Sequence, residues 1–182
     1  MTTTTKIGVE GVRDALPDDL SLYLGKKTLV KLILEAVPAV NGESVEYAGF
    51  ASDGIVFRNS MMLTLLTYCY ATGVYATGEI EQNIQRDPMT RYLCARTYPN
   101  VDAIRSFRRH QRVEIQRCLA AVLQRAWRLR FSDTEERETP DHGYLKTQTG
   151  CLANPELLAD FESEAEERLA RAIRADSMAL DI

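Results

Sequence analysis

Met61-Met62-Leu63-Thr64-Leu65-Leu66-Thr67-Tyr68-Cys69-Tyr70-Ala71 is the stretch on which the fold turns. It is apolar nearly all round, and a helix without a polar face belongs in the centre of a fold. Gly73 stands where a helix C-cap is expected. The run is broken by threonines and falls short of the roughly 18 apolar residues that a membrane span needs. It therefore predicts a buried central helix that amphipathic helices must surround.

Those helices are visible on both sides. Upstream, Leu29, Leu32, Ile33 and Val37 form a helical stripe that Pro38 is expected to end. Asn41 to Asp53, with Asn41-Gly42 and Asp53-Gly54, reads as a loop. Downstream, Thr77 is placed as an N-cap, with Glu79 and Glu81 in a first turn whose dipole favours acids and Ile80 and Ile84 facing inward. Asp87-Pro88 signals the next start, with Met89, Tyr92 and Leu93 turned in. Tyr98-Pro99-Asn100 breaks the chain, and Asp102 is placed as the cap of the helix after it.

From Ile104 to Leu129 apolar residues recur every three or four positions, except near His110-Gln111, which predicts one long helix or two with a kink there. Ser132 to Cys151 lacks any sustained period and reads as a linker. Leu158, Phe161, Ala165, Leu169 and Ala172 then mark a last amphipathic helix, with Glu164/Arg168 and Glu167/Arg171 as i,i+4 pairs. Strand signals are almost absent. The expectation is an all-α protein: a compact helical bundle with a helix-turn-helix-like core and a C-terminal amphipathic helix. Residues 1–56 are expected to form an arm with one helix, residues 57–131 the helical domain that carries the arginine-rich stretch, and residues 132–182 a loop and acidic helix.

The 182 residues are 45% apolar with a net charge of −4, enough to bury a real core and too apolar for wholesale disorder. The opening Met1-Thr-Thr-Thr-Thr-Lys6 lacks the basic and apolar segments of a secretion signal, so a cytoplasmic location is expected. Cys69, Cys94, Cys118 and Cys151 form no CxxC pair, and His110 and His142 lack ligand spacing. Reduced cysteines packed as small hydrophobes fit better than a metal site, and no cofactor is implied.

The charge is unevenly spread. Residues 105–130 hold eight arginines against Glu114 alone, whereas residues 131–182 hold thirteen acids against five bases. On a helical wheel, at about 100° per residue, Arg105, Arg108, Arg109 and Arg112 lie near 0°, 300°, 40° and 340°. Ile104, Phe107, Ile115, Cys118 and Val122 occupy about 200° to 280° of the same wheel. A packed face thus lies beside a four-arginine face. The planar guanidinium fork suits phosphates and guanine edges, which makes these four, with Arg86 and Arg91 as added phosphate contacts, the candidate DNA-binding residues. The competing reading is a solvated face paired with the acidic tail.

The order of motifs resembles the N-terminal domain of bacterial insertion-sequence transposases of the InsH-like group over residues of about 28 to 115. The shared elements are Leu66-Thr67-Tyr68-Cys69-Tyr70-Ala71-Thr72-Gly73, then Thr77-Gly78-Glu79-Ile80-Glu81, then the segment ending in Tyr92-Leu93-Cys94. The most specific is Pro99-Asn100-Val101-Asp102-Ala103-Ile104-Arg105-Ser106-Phe107-Arg108-Arg109-His110. Asn100 and Ala103 stand where the family usually has Asp and Thr, and Cys69 where Gly is common. The resemblance implies duplex DNA, such as a terminal repeat, as ligand.

Full members of that family carry a DDE nuclease, in which a sheet gathers three carboxylates around two metals. The 52 residues after Arg130 read as a loop and one helix, with nothing to converge Asp133, Asp141, Asp160, Asp176 and Asp181. No phosphate loop, HExxH or GxSxG occurs. The chain is therefore expected to bind rather than catalyse, as a homodimer or with a separately encoded catalytic subunit. The alternative is a helical interaction module that uses its acidic tail helix to hold a protein.

Overall fold

The central helix, α3, spans Asn59–Ala71, and every residue in it except Ser60 is buried. Its end follows the expectation for Gly73. This residue sits at φ +77°, in the left-handed region that glycine enters freely, and the Val74 N–H donates to the Cys69 carbonyl at 2.9 Å. The computed structural model describes residues 16–41, 49–52, 54–135 and 155–180. Before α3 come α1 (Leu20–Leu24), α2 (Lys26–Asn41) and a hairpin of β1 (Gly49–Ser52) and β2 (Ile55–Arg58). After it come α4 (Thr77–Arg86), α5 (Pro88–Leu93), α6 (Val101–His110), α7 (Arg112–Glu135) and α8 (Pro155–Leu180). The protein is an all-α bundle with one two-stranded antiparallel sheet among the described residues. None of these helices is long and apolar enough to cross a membrane.

Four local expectations are corrected. Pro38 lies inside α2 rather than ending it. It is exposed, and so is Leu34, the residue whose carbonyl it deprives of an N–H donor. Part of the segment read as a loop pairs instead, with Gly49 opposite Arg58 and Ser52 opposite Ile55, and Gly54 sits between the strands at φ +77°. Asp-Gly between two short apolar runs is a hairpin signal, easily missed when each strand has four residues. Asn100, not Asp102, caps α6, accepting from the Ala103 N–H at 2.8 Å. Tyr92, expected to face inward, is 68% exposed.

The bundle closes around α7, which lies against α8, α2 and α3. One continuous core draws on all three segments that the sequence separates: Leu20, Leu29 and Ile33, then α3, Ile104, Phe107, Ile115 and Leu119, then Phe161, Ala165, Leu169 and Ala172. The last helix is thus built into the bundle. The linker at 136–154 and the side chain of Leu158 lie outside the described residues.

Arg168 explains how α8 is fixed. Its side chain is fully buried in the core. Nε donates to Glu164 at 2.8 Å, Nη1 to the carbonyls of Asp18 (2.8 Å) and Tyr70 (3.1 Å), and Nη2 to the carbonyl of Pro17 (3.0 Å). The expected i,i+4 pair forms, and it lies within a buried junction of three chain segments. The other expected pair, Glu167 and Arg171, forms at 3.7 Å on the outside, where Arg171 also reaches Asp18 at 2.7 Å.

Candidate nucleic-acid interface

Apolar burial and charge placement both fix α6. Ala103, Ile104 and Phe107 are completely buried, as the wheel requires. Asp102 lies in the first turn and Arg108, Arg109 and His110 in the last, each charge set opposing the helix dipole. The helix stops at Gln111, whose N–H returns to the Phe107 carbonyl at 2.9 Å, and α7 begins at Arg112. The irregularity near His110-Gln111 is therefore a break between two helices.

The break does not scatter the arginines. Arg105, Arg108, Arg109 and Arg112 line one cleft of about 320 Å³, together with Ile173, Asp176 and Ser177 of α8. Arg86 and Arg91 line two other clefts, so the four and these two do not form one surface pocket. The Arg91 guanidinium also donates to the Gln85 carbonyl, which ties it to the end of α4.

The four are not equivalent. Arg108 is buried, with Nη2 on Asp176 Oδ2 at 2.5 Å and Nη1 near the Ala172 carbonyl at 3.3 Å and the Tyr70 hydroxyl at 3.5 Å. Burial opposes its charge, but Tyr70 and Asp176 outweigh that and raise its pKa above the ordinary arginine value. Burial also pushes the Tyr70 hydroxyl up to about 12, despite the pull of Arg108. The wheel places Arg108 nearest the packed arc, and it is the arginine drawn inside.

Arg105 is partly buried, its Nε 3.5 Å from Asp176 Oδ2 and lacking a well-aligned hydrogen bond. Arg109 and Arg112 are exposed, and neither has a carboxylate partner within 4 Å among the described residues. The cleft thus sets four guanidinium groups against one carboxylate.

Asp176 is the residue that sequence reasoning missed. Its Oδ1 accepts from the Thr77 N–H at 2.8 Å and the Thr77 hydroxyl at 2.9 Å. Ala76, in the cap position of α4, has no side-chain hydrogen bond to offer. A carboxylate from α8 therefore takes the place of the cap expected from Thr77, hydrogen-bonding a helix N-terminus and Arg108 at once, with Arg105 in ion-pair range. Burial tends to raise its pKa, but the Thr77 and Arg108 contacts prevail and hold it below the ordinary carboxylate value.

Comparison with known proteins finds no family model, curated protein or solved structure that matches this chain.

Proposed function

We propose that this chain is a non-catalytic duplex-DNA-binding module of the transposase N-terminal type, gripping phosphates with Arg109 and Arg112 and with the outer edge of Arg105. The observation that carries it is the cleft itself: four arginines against one carboxylate, two of them exposed without an acidic partner among the described residues. Arginine so placed donates two parallel hydrogen bonds to a phosphate while releasing counterions from the duplex. Arg108 serves the same surface indirectly, because its bond to Asp176 fixes α6 against α8. In this reading the protein acts in the cytoplasm and binds the duplex without cleaving it.

The test is affinity for a random-sequence duplex over a series of salt concentrations, comparing the full chain with Arg109→Ala/Arg112→Ala. Removing one arginine–phosphate pair should lower the slope of log affinity against log salt by about one unit, hence about two for the double variant. Unchanged affinity and slope would remove DNA from this face.

A further inference from the structure

A groove of about 760 Å³ lies among residues of α2, α3 and α5, away from the α6–α8 cleft in its lining residues. Exposed Leu34, above the largely buried Val37, Met61 and Leu93, supplies an aliphatic lining. Arg58, Arg91 and Arg96 line it too, all three exposed, and no carboxylate does among the described residues. Leu34 is 46% exposed and Tyr92 68%, so apolar surface is open beside the cations.

The rim at Ala95-Arg96 is constrained. Ala95 (φ +47°) and Arg96 (φ +63°) both occupy the left-handed region that side chains disfavour. The Ala95 N–H donates to the Tyr92 carbonyl at 3.1 Å. The N–H and hydroxyl of Thr97 donate to the Cys94 carbonyl at 2.9 and 2.7 Å. Non-glycine residues hold such angles only where their surroundings impose them, and such places concentrate at binding sites.

We propose that this groove receives an acidic amphipathic helix from a partner protein. Aliphatic side chains at i, i+3, i+4 and i+7 of the incoming helix match the lining, and its flanking carboxylates meet the arginine forks. A run of stacked bases fits less well, because Tyr92 is the single aromatic ring in the lining among the described residues and base stacking needs successive planes. A second copy of this chain does not offer its own acidic helix, since Phe161, Ala165, Leu169 and Ala172 of α8 already lie in the core.

The experiment measures fluorescence anisotropy of a labelled peptide of about 18 residues, five turns of Leu, Ala and Glu with the leucines on one face, against the full chain. Saturable binding is expected. Affinity should fall at least about tenfold in Leu34→Glu and in Arg58→Ala/Arg96→Ala, as for central contacts of an interface. Arg109→Ala/Arg112→Ala should bind the peptide unchanged, which separates this result from the fate of the DNA reading. Circular dichroism checks each fold, and Tyr92→Ala replaces any variant that does not fold. The proposal is overturned by absence of saturable binding, or by equal binding of a same-composition peptide with scattered leucines. It is equally overturned by displacement of the peptide by an oligothymidylate, or by dimerisation that Leu34→Glu abolishes.

Discussion

Replacing Arg168 by Ala should be among the most damaging single changes in this protein. The guanidinium makes four hydrogen bonds with no exposed surface of its own, one to Glu164 and three to backbone carbonyls. Removing one partner of a buried ion pair costs about 3–5 kcal/mol, because the remaining charge keeps its desolvation penalty. The buried Tyr70 carbonyl left without this donor adds about 1–3 kcal/mol, whereas the carbonyls of Pro17 and Asp18, on exposed residues, are open to water. That sum reaches the lower part of the range for the whole stability of an ordinary domain, about 5–15 kcal/mol. Arg168→Lys should recover only part of the loss, since a point-like ammonium does not span Glu164, Asp18, Tyr70 and Pro17 together. Urea unfolding followed by circular dichroism reads the effect, with a Glu164→Leu/Arg168→Met double variant to separate the charge pair from the carbonyl bonds. If Arg168→Ala unfolds within about 1 kcal/mol of the parent, below the range for breaking a buried pair, the junction is not what holds α8 in place.

Phe107→Ala should cost about 3–5 kcal/mol in the same assay, since the ring is fully buried, and a near-native melt would put the wrong face of α6 inward. Asp176→Asn keeps an oxygen for Thr77 but strips the charge from Arg108, so a loss of about 3–5 kcal/mol is expected by urea titration. Because the Asp176 pKa is lowered in the folded state, its contribution is fully present above the ordinary value of 3.8 and disappears as pH falls through the native value. Acid titrations of parent and Asp176→Asn should therefore converge at low pH, and parallel curves would refute the linkage. Burial pushes the Cys94 and Cys118 thiols up to about 12 and Cys69 well above its usual range. All three should resist iodoacetamide at pH 8 until urea unfolds the chain, with site-resolved mass spectrometry as the readout.

Patterns carried by a single helix are legible in the residues themselves. The apolar run of α3 announces its burial, Gly73 its termination, and the wheel of α6 both its inward Ile104 and Phe107 and its outward Arg109. Asp87-Pro88 marks the start of α5 in the same way, with Asp87 accepting from the Thr90 N–H at 3.3 Å. Decisions that depend on the element packed opposite a helix are not legible. Arg108 and Arg168 look like surface arginines in any local window, and only the approach of α8 buries both. Tyr92 looks like a core aromatic by spacing, yet α5 turns it outward. The hairpin is hidden because strands of four residues hold too little alternation to compete with the turn formers around them.

The junctions at Arg168 and Asp176 also bear on how the chain reaches its native state. Arg168 closes on Asp18 across 150 positions and Asp176 on Thr77 across 99, so two of the best-bonded contacts are among the most distant in sequence. Helical bundles generally fold fast because their contacts are local, and each long closure costs entropy before it returns any energy. A chain emerging from the ribosome can form α2 and α3 early, but the start of α4 and the guanidinium of Arg108 stay unsatisfied until residue 176 arrives. Native order in this protein is therefore completed late and from both ends together, leaving an interval in which the face destined for α8 is open to other molecules.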